Sequence, residues 1–227
     1  MSRLPPSTRE PGRRGKQGET RARLIQVTID LVRSEGLSAL TTSRITRAAG
    51  IAQPGFYAHF RNVEDCLQTA MSQVVDEVRV KVAKMRKDAF RRFEEANGVT
   101  MTAIRASYEE SLELVLAERT FAEIFLRYRR DPSLLGGYMG EVLDRIRADL
   151  SADIWSMARQ AGFRDEHRGL TAFWTDQILA LFFAGAEAML DGRYDDRDTL
   201  LDSLAHSTFG IQMEYARWVG LLGPDAR

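Results

Sequence analysis

Residues 38–67 read SALTTSRITRAAGIAQPGFYAHFRNVEDCL. Leu40 precedes Thr41 and Thr42, two residues suited to cap a helix N-terminus. A short helix is predicted next, with Ile45, Ala48 and Ala49 as its apolar residues and Gly50 as its end. Ile51 is the apolar residue of the turn. Gln53-Pro54-Gly55 then opens a second short helix, with Pro54 fitted to a first helical turn and Phe56 and Phe60 at i, i+4. Two helices of about eight residues across a glycine turn make a helix-turn-helix. Ile45, Ala48, Ala49 and Ile51 are expected to pack the first helix across the second. The N-terminal residues of the second would then project into a DNA major groove, which admits one helix.

Upstream, residues 1–18 hold Pro5, Pro6, Pro11, Gly12, Gly15 and Gly18 with five basic residues, and are expected to form an unstructured arm. From about Glu19 a helical period begins. Leu24, Val27 and Leu31 form a stripe, with Ile25, Ile29 and Val32 beside it, and Gly36 stops the helix. Downstream, Asn62 caps a helix that buries Leu67, Met71, Val74 and Val78. Only helices follow, over about 62–96, 100–117, 119–130, 133–161, 166–191 and 197–221. They are separated at Asn97-Gly98, Asp131-Pro132, Gly162 and Gly192. The expected fold is all-α: an arm (1–18), a three-helix domain (19–66) and a larger helical domain (67–227).

The charge is uneven along the chain. Lys plus Arg and Asp plus Glu are both 32 among 227 residues. Residues 1–70, however, hold 11 basic and 6 acidic residues, and residues 71–227 hold 21 and 26. The zero total is a +5 head cancelling a −5 body, an asymmetry that points to a nucleic-acid or membrane partner. The longest uncharged apolar run, Ile178 to Ala186, is nine residues, against about 20 for a membrane span. With no apolar leader-like segment and one cysteine, Cys66, the expectation is a cytoplasmic protein without a disulfide, cysteine-based metal site or cofactor.

The segment resembles the DNA-binding domain of the TetR family of bacterial regulators. Leu40-Thr41-Thr42, Ala49-Gly50-Ile51, Phe56-Tyr57-x-His59-Phe60 and Glu64-Asp65-Cys66-Leu67 carry the likeness. The Gln53-Pro54 opening resembles tetracycline-repressor-type members. The expected DNA-binding residues are Thr41, Thr42, Arg44, Arg47, Gln53, Pro54, Gly55, Tyr57, His59 and Arg61. Thr42 would meet a phosphate at a helix N-terminus, and Gln53 an adenine in bidentate fashion. For Tyr57 and His59 the resemblance implies phosphate contacts. Arg44 and Arg47 would lie near the DNA backbone, and Arg13, Arg14, Lys16, Arg21 and Arg23 could follow the arm onto it. Two positions depart from the family pattern. Gly55 lacks a base-contacting side chain, and Val63 stands where relatives carry Lys, a charge Arg61 could replace.

The resemblance also implies a ligand pocket in the larger domain. Its expected lining is Phe90, Met101, Tyr108, Phe121 and Phe125, continued by Tyr128, Trp155, Phe173 and Trp174. That composition suits a small apolar effector. Arg105, Glu109, Arg127 and Tyr128 are candidate polar anchors. The last two helices are apolar on more than one side and are expected to form a homodimer interface through Ile178, Phe182, Gly185, Leu201, Leu204 and Phe209. A two-fold dimer would read a palindromic double-stranded operator. The expected function is a ligand-responsive repressor; activation stays open, because the motif does not encode the sign. A carboxylate-bridged metal enzyme needs Glu three residues before His, whereas His59, His167 and His206 follow Phe56, Arg164 and Ser203.

Overall fold

The computed structural model describes residues 12–96, 98–194 and 196–222. Among them it contains α-helices and two short 3-10 turns, with no strand. The helices are α1 (Gly12–Glu35), α2 (Thr42–Ala49), α3 (Gln53–Tyr57), α4 (Val63–Glu95), α5 (Met101–Ala117), α6 (Arg119–Tyr128), α7 (Leu134–Gln160), α8 (Arg168–Leu190) and α9 (Arg197–Trp218). The chain separates into two compact units, Met1–Val74 and Val75–Arg227, divided within α4.

α1 begins at Gly12, so residues 12–18 are helical where an unstructured arm was expected. Arg13, Arg14, Lys16 and Gln17 are good helix formers, and they outweigh the glycines. Residues 1–11, where the rest of the arm was expected, lie outside the described residues.

In the first unit α1 buries Leu24, Ile25, Thr28, Ile29 and Val32, while Val27 and Leu31 are only half-buried. The buried stripe is therefore rotated from the expected one and passes through a threonine. Thr28 tolerates this because its hydroxyl donates to the Leu24 carbonyl at 2.8 Å and sits 3.3 Å from Cys66 Sγ. α2 buries Ile45, Thr46 and Ala49. Ala48, expected in that contact, is exposed. Gly50 ends α2 at φ 65°, a left-handed conformation that side chains with a Cβ rarely adopt. Phe56, fully buried, and Phe60 close the unit from the other side, their ring centroids 5.7 Å apart.

In the second unit α5 packs on α8 and α9, and α7 on α8. Ile104, Tyr108 and Leu112 of α5 meet Ala186 of α8 and Leu200, Leu201, Leu204 and Ala205 of α9. Leu112 and Leu201 are fully buried, each worth about 1.5–3 kcal/mol of apolar transfer. Helix starts are capped by side chains: Thr100 accepts from the Ala103 N–H, Ser133 from Gly136, and Asp196 from Asp198 and Thr199. Gly136 is required sterically, since a Cβ there would lie 2.0 Å from the Asp131 carbonyl oxygen.

Candidate nucleic-acid interface and effector cavity

α2 begins on Thr41, whose Oγ1 accepts the Arg44 N–H at 3.2 Å. Thr41 is the cap and is exposed, while Thr42 is the first helical residue and half-buried. α3 is short because Pro54 favours its start and the Phe56 and Phe60 rings draw the chain inward after Tyr57. Gln53, Pro54 and Tyr57 stand on its exposed side, with Tyr57 59% exposed and edge-on to Phe56 at 5.5 Å. Gly55 points the other way: a Cβ there would rest 3.6 Å from Ile51 Cδ1. His59 is half-buried.

The arginines differ in what they already hold. Arg44 is ion-paired with Glu35. Arg61 donates its backbone N–H to Asp65 Oδ2 at 2.9 Å and its guanidinium lies 3.3 Å from Asp65 Oδ1. Those two hydrogen bonds, backbone first, hold the Asp65 carboxyl below the usual range. Asn62 Oδ1 accepts the Asp65 N–H at 2.8 Å, which leaves Val63 as an ordinary first-turn residue. Arg47 is exposed and has no ion pair among the described residues. Arg21 covers the Phe60 ring at 5.1 Å, and Arg23 is exposed. The side chains of Arg13, Arg14 and Lys16 lie outside the described residues.

The second unit contains a cavity of about 670 Å³. Tyr108, Phe121, Phe125 and Trp174 line it. Phe90, Met101, Tyr128, Trp155 and Phe173 do not, which corrects the sequence expectation for these five. Met101 packs on the α5–α9 core, Arg168 covers the Trp155 ring at 6.0 Å, and Phe173 is 58% exposed. The rest of the wall is largely aliphatic: Val75, Val82 and Ala89 of α4, and Val142, Ile146, Leu150 and Met157 of α7. The spacing of those residues, sevens along α4 and fours and a seven along α7, is the signal that a search for aromatics passed over. Inside, Tyr108 Oη lies 2.6 Å from Thr208 Oγ1, and burial pushes the phenol up to about 12. Arg105 is not a cavity anchor, for it spans Asp198 and Asp202 of α9 at 2.5 and 2.7 Å. Glu109, Arg127 and Tyr128 do not line the cavity either.

The six residues expected at a dimer interface turn inward. Ile178 and Phe182 line the cavity, Leu201 and Leu204 are buried in the core, and Phe209 packs against that core. Gly185 allows α8 to approach α9, since a Cβ there would lie 2.7 Å from Leu204 Cδ1. The opposite faces of both helices are exposed: Phe173, Asp176, Ala180 and Ala184 on α8, and Ser203, Ser207, Gly210, Glu214 and Trp218 on α9. Trp218 is 71% exposed and stacks on Tyr215 at 6.0 Å. No His, Cys, Asp and Glu group able to hold a metal ion occurs among the described residues. Among those residues no helix is long and apolar enough to cross a membrane.

Residues 24–70 match the family of bacterial regulatory proteins, tetR family. No curated protein sequence matches the chain. The fold is shared with a TetR-family transcriptional regulator from Streptomyces coelicolor, at a TM-score of 0.60 and 15% identity over 92% of this chain and 96% of that one. FadR of Thermus thermophilus, a TetR-family repressor solved with lauroyl-CoA, matches at a TM-score of 0.56 and 17% identity, covering 91% and 97%. FadR of Bacillus subtilis, solved with stearoyl-CoA, matches at 0.55 and 16%, covering 85% and 96%.

Proposed function

We propose that this chain, which belongs through residues 24–70 to the tetR family of bacterial regulatory proteins and has the all-helical fold of its regulators, is a homodimeric repressor released from a palindromic operator by an apolar effector. The observation that carries the DNA side is the exposed edge of the helix-turn-helix. Gln53, Pro54 and Tyr57 face outward from an α3 whose other side is locked by Phe56. In this reading Gln53 reads a base, and Thr41, Thr42, Tyr57, His59 and Arg47 hold phosphates. Arg44 and Arg61 contribute once they exchange Glu35 and Asp65 for phosphate oxygens. Gly55 faces Ile51, so it serves packing and close backbone approach rather than base contact.

The dimer is assigned to the outer faces of α8 and α9. Ala180, Ala184, Ser203, Ser207 and Gly210 are small enough for close helix approach, and Phe173 and Trp218 supply apolar area. The cavity supports an effector with a long apolar part, and the acyl-CoA ligands of the two FadR proteins favour the fatty-acyl class. Effector packed against the Val75–Phe93 stripe of α4 would favour a helix position that spoils the spacing of the two α3 helices. A 100-fold loss of operator affinity needs only about 2.7 kcal/mol of differential effector binding. The protein would act in the cytoplasm, with no cofactor and no chemistry of its own. The test is binding to a labelled fragment from upstream of its own gene, with and without lauroyl-CoA. Sequence-preferring binding weakened by the acyl-CoA is expected; binding indifferent to sequence refutes the reading.

A further inference from the structure

The polar groups on the cavity wall are nearly all committed to one another. Asp76 pairs with Arg79 at 3.4 Å, and Arg86 with Asp149 and Asp153 at 2.8 and 2.7 Å. Glu110 pairs with Arg92 at 2.7 Å, Glu118 with Lys81 at 2.6 Å, and Arg145 with Glu141 at 4.0 Å. A charged head entering here would lose its water and find each counter-charge already paired, a large cost. Ser107 donates to the Ala103 carbonyl at 2.9 Å and Ser111 to the Ser107 carbonyl at 2.7 Å, while Tyr108 Oη and Thr208 Oγ1 are partners at 2.6 Å. The Trp174 indole nitrogen is sealed within the wall.

Gln212 is different. It belongs to the inward stripe of α9, made at spacings of four, three, four and three by Leu201, Ala205, Thr208, Gln212 and Tyr215. The first three are buried, and Tyr215 turns onto α8, its ring 6.3 Å from that of Trp174 and its hydroxyl donating to Gln177 Oε1 at 3.1 Å. The opposite face of α9, at Ser203, Ser207, Gly210 and Glu214, is exposed. Gln212 is therefore held inward, half-buried, and lines the cavity one turn beyond Thr208. Its side chain makes no hydrogen bond among the described residues, and its amide oxygen and nitrogen both keep accessible surface. A hydrocarbon filling the cavity would strip that amide of water and leave it unpaired, whereas a head that both accepts and donates would replace what it lost.

We infer that Gln212 is the specificity-determining residue of the cavity, and that it selects an apolar molecule ending in an uncharged head with a donor and an acceptor side by side. A primary carboxamide meets this description, forming one hydrogen bond to the Gln212 oxygen and one from its nitrogen; a plain hydrocarbon and a carboxylate do not. The inference rests on the cavity being the effector site and adds the chemistry of what enters it.

The test compares octane, octanamide and octanoate at pH 8 on the full chain and on Gln212→Leu, with octane followed by headspace partition and the other two by equilibrium dialysis. Without its partner the octanamide head must be buried unpaired, so Gln212→Leu is expected to weaken octanamide about ten-fold and to leave octane unchanged or tighter. Octane binding by the variant also reports that its cavity is intact. Independently, the Gln212 side-chain amide ¹H–¹⁵N resonances of the unaltered protein are expected to move downfield with octanamide and not with octane. Equal weakening of octanamide and octane, or Gln212 signals that ignore octanamide, overturns the assignment. So does octanoate binding more tightly than octanamide. Failure of all three to bind the unaltered protein instead removes the effector-site reading, and the inference with it.

Discussion

Replacing Tyr108 by Phe removes one oxygen from the centre of the second unit and leaves the ring in place. The lost partner is Thr208 Oγ1 at 2.6 Å, on a residue 5% exposed. A buried hydrogen bond contributes about 0.5–1.5 kcal/mol net, and an orphaned buried hydroxyl costs about 1–3 kcal/mol. Tyr108→Phe should therefore destabilise by about 1–2 kcal/mol, or about 3–6 °C in Tm for a unit of this size. Thr208→Val should cost a similar amount, and the double variant less than the sum by about 1 kcal/mol. The pair also predicts a pH dependence. The folded phenol is pushed up to about 12 from its ordinary 10.0. Above pH ~10 the unfolded chain releases the proton while the folded chain keeps it, so stability falls as pH rises towards 12. The loss specific to Tyr108 is at most about 2–3 kcal/mol and should be absent in Tyr108→Phe. Urea titrations of the four proteins at pH 8 and pH 11 measure both effects. A neutral Tyr108→Phe, or additive single variants, would refute the account of this core.

Three further outcomes follow from particular contacts. Gly136→Ala places a Cβ against the Asp131 carbonyl, so it should lose at least about 2 kcal/mol by thermal melting, despite a helix-propensity gain of about 1 kcal/mol. Cys66 is buried beside Thr28 and burial raises its thiol pKa, so a thiol reagent should modify the folded protein slowly and accelerate sharply with urea. In operator titrations Gln53→Ala should lose about 1–3 kcal/mol on its preferred sequence alone, whereas Arg47→Ala should weaken all sequences and lower the salt slope by about 1.

Much of the architecture is legible in the sequence because its breaks are chemical. Gly98, Pro132, Gly162 and Gly192 interrupt the helical period where α4, α6, α7 and α8 give way to turns. The start of α1 was not legible, since the glycines of residues 12–18 read as breakers while the intervening basic residues favour helix. Thr28 and Thr208 escaped a hydrophobic pattern because they are polar, although Thr28 satisfies its hydroxyl on the preceding turn. α8 misled most. A helix apolar on nearly every side gives no phase, so Phe173 was expected inside and is exposed, and Ile178 was expected at a partner and faces the cavity. The exposed positions of α3 were easier to place, because Gly50 ends α2 and the buried Phe56 fixes the phase that leaves Gln53 and Tyr57 outward.

The most direct test of the account is a salt-controlled titration of the full chain against duplex from upstream of its own gene and a shuffled duplex of equal composition. Residues 1–24 carry seven basic and two acidic residues, and the remaining basic residues of the helix-turn-helix add to them. Fluorescence anisotropy from 50 to 300 mM salt should give a straight fall of log affinity with log salt, and a preference of at least about 10³-fold for the native duplex. Equal affinity for both duplexes at every salt concentration would contradict the claim that α3 reads DNA.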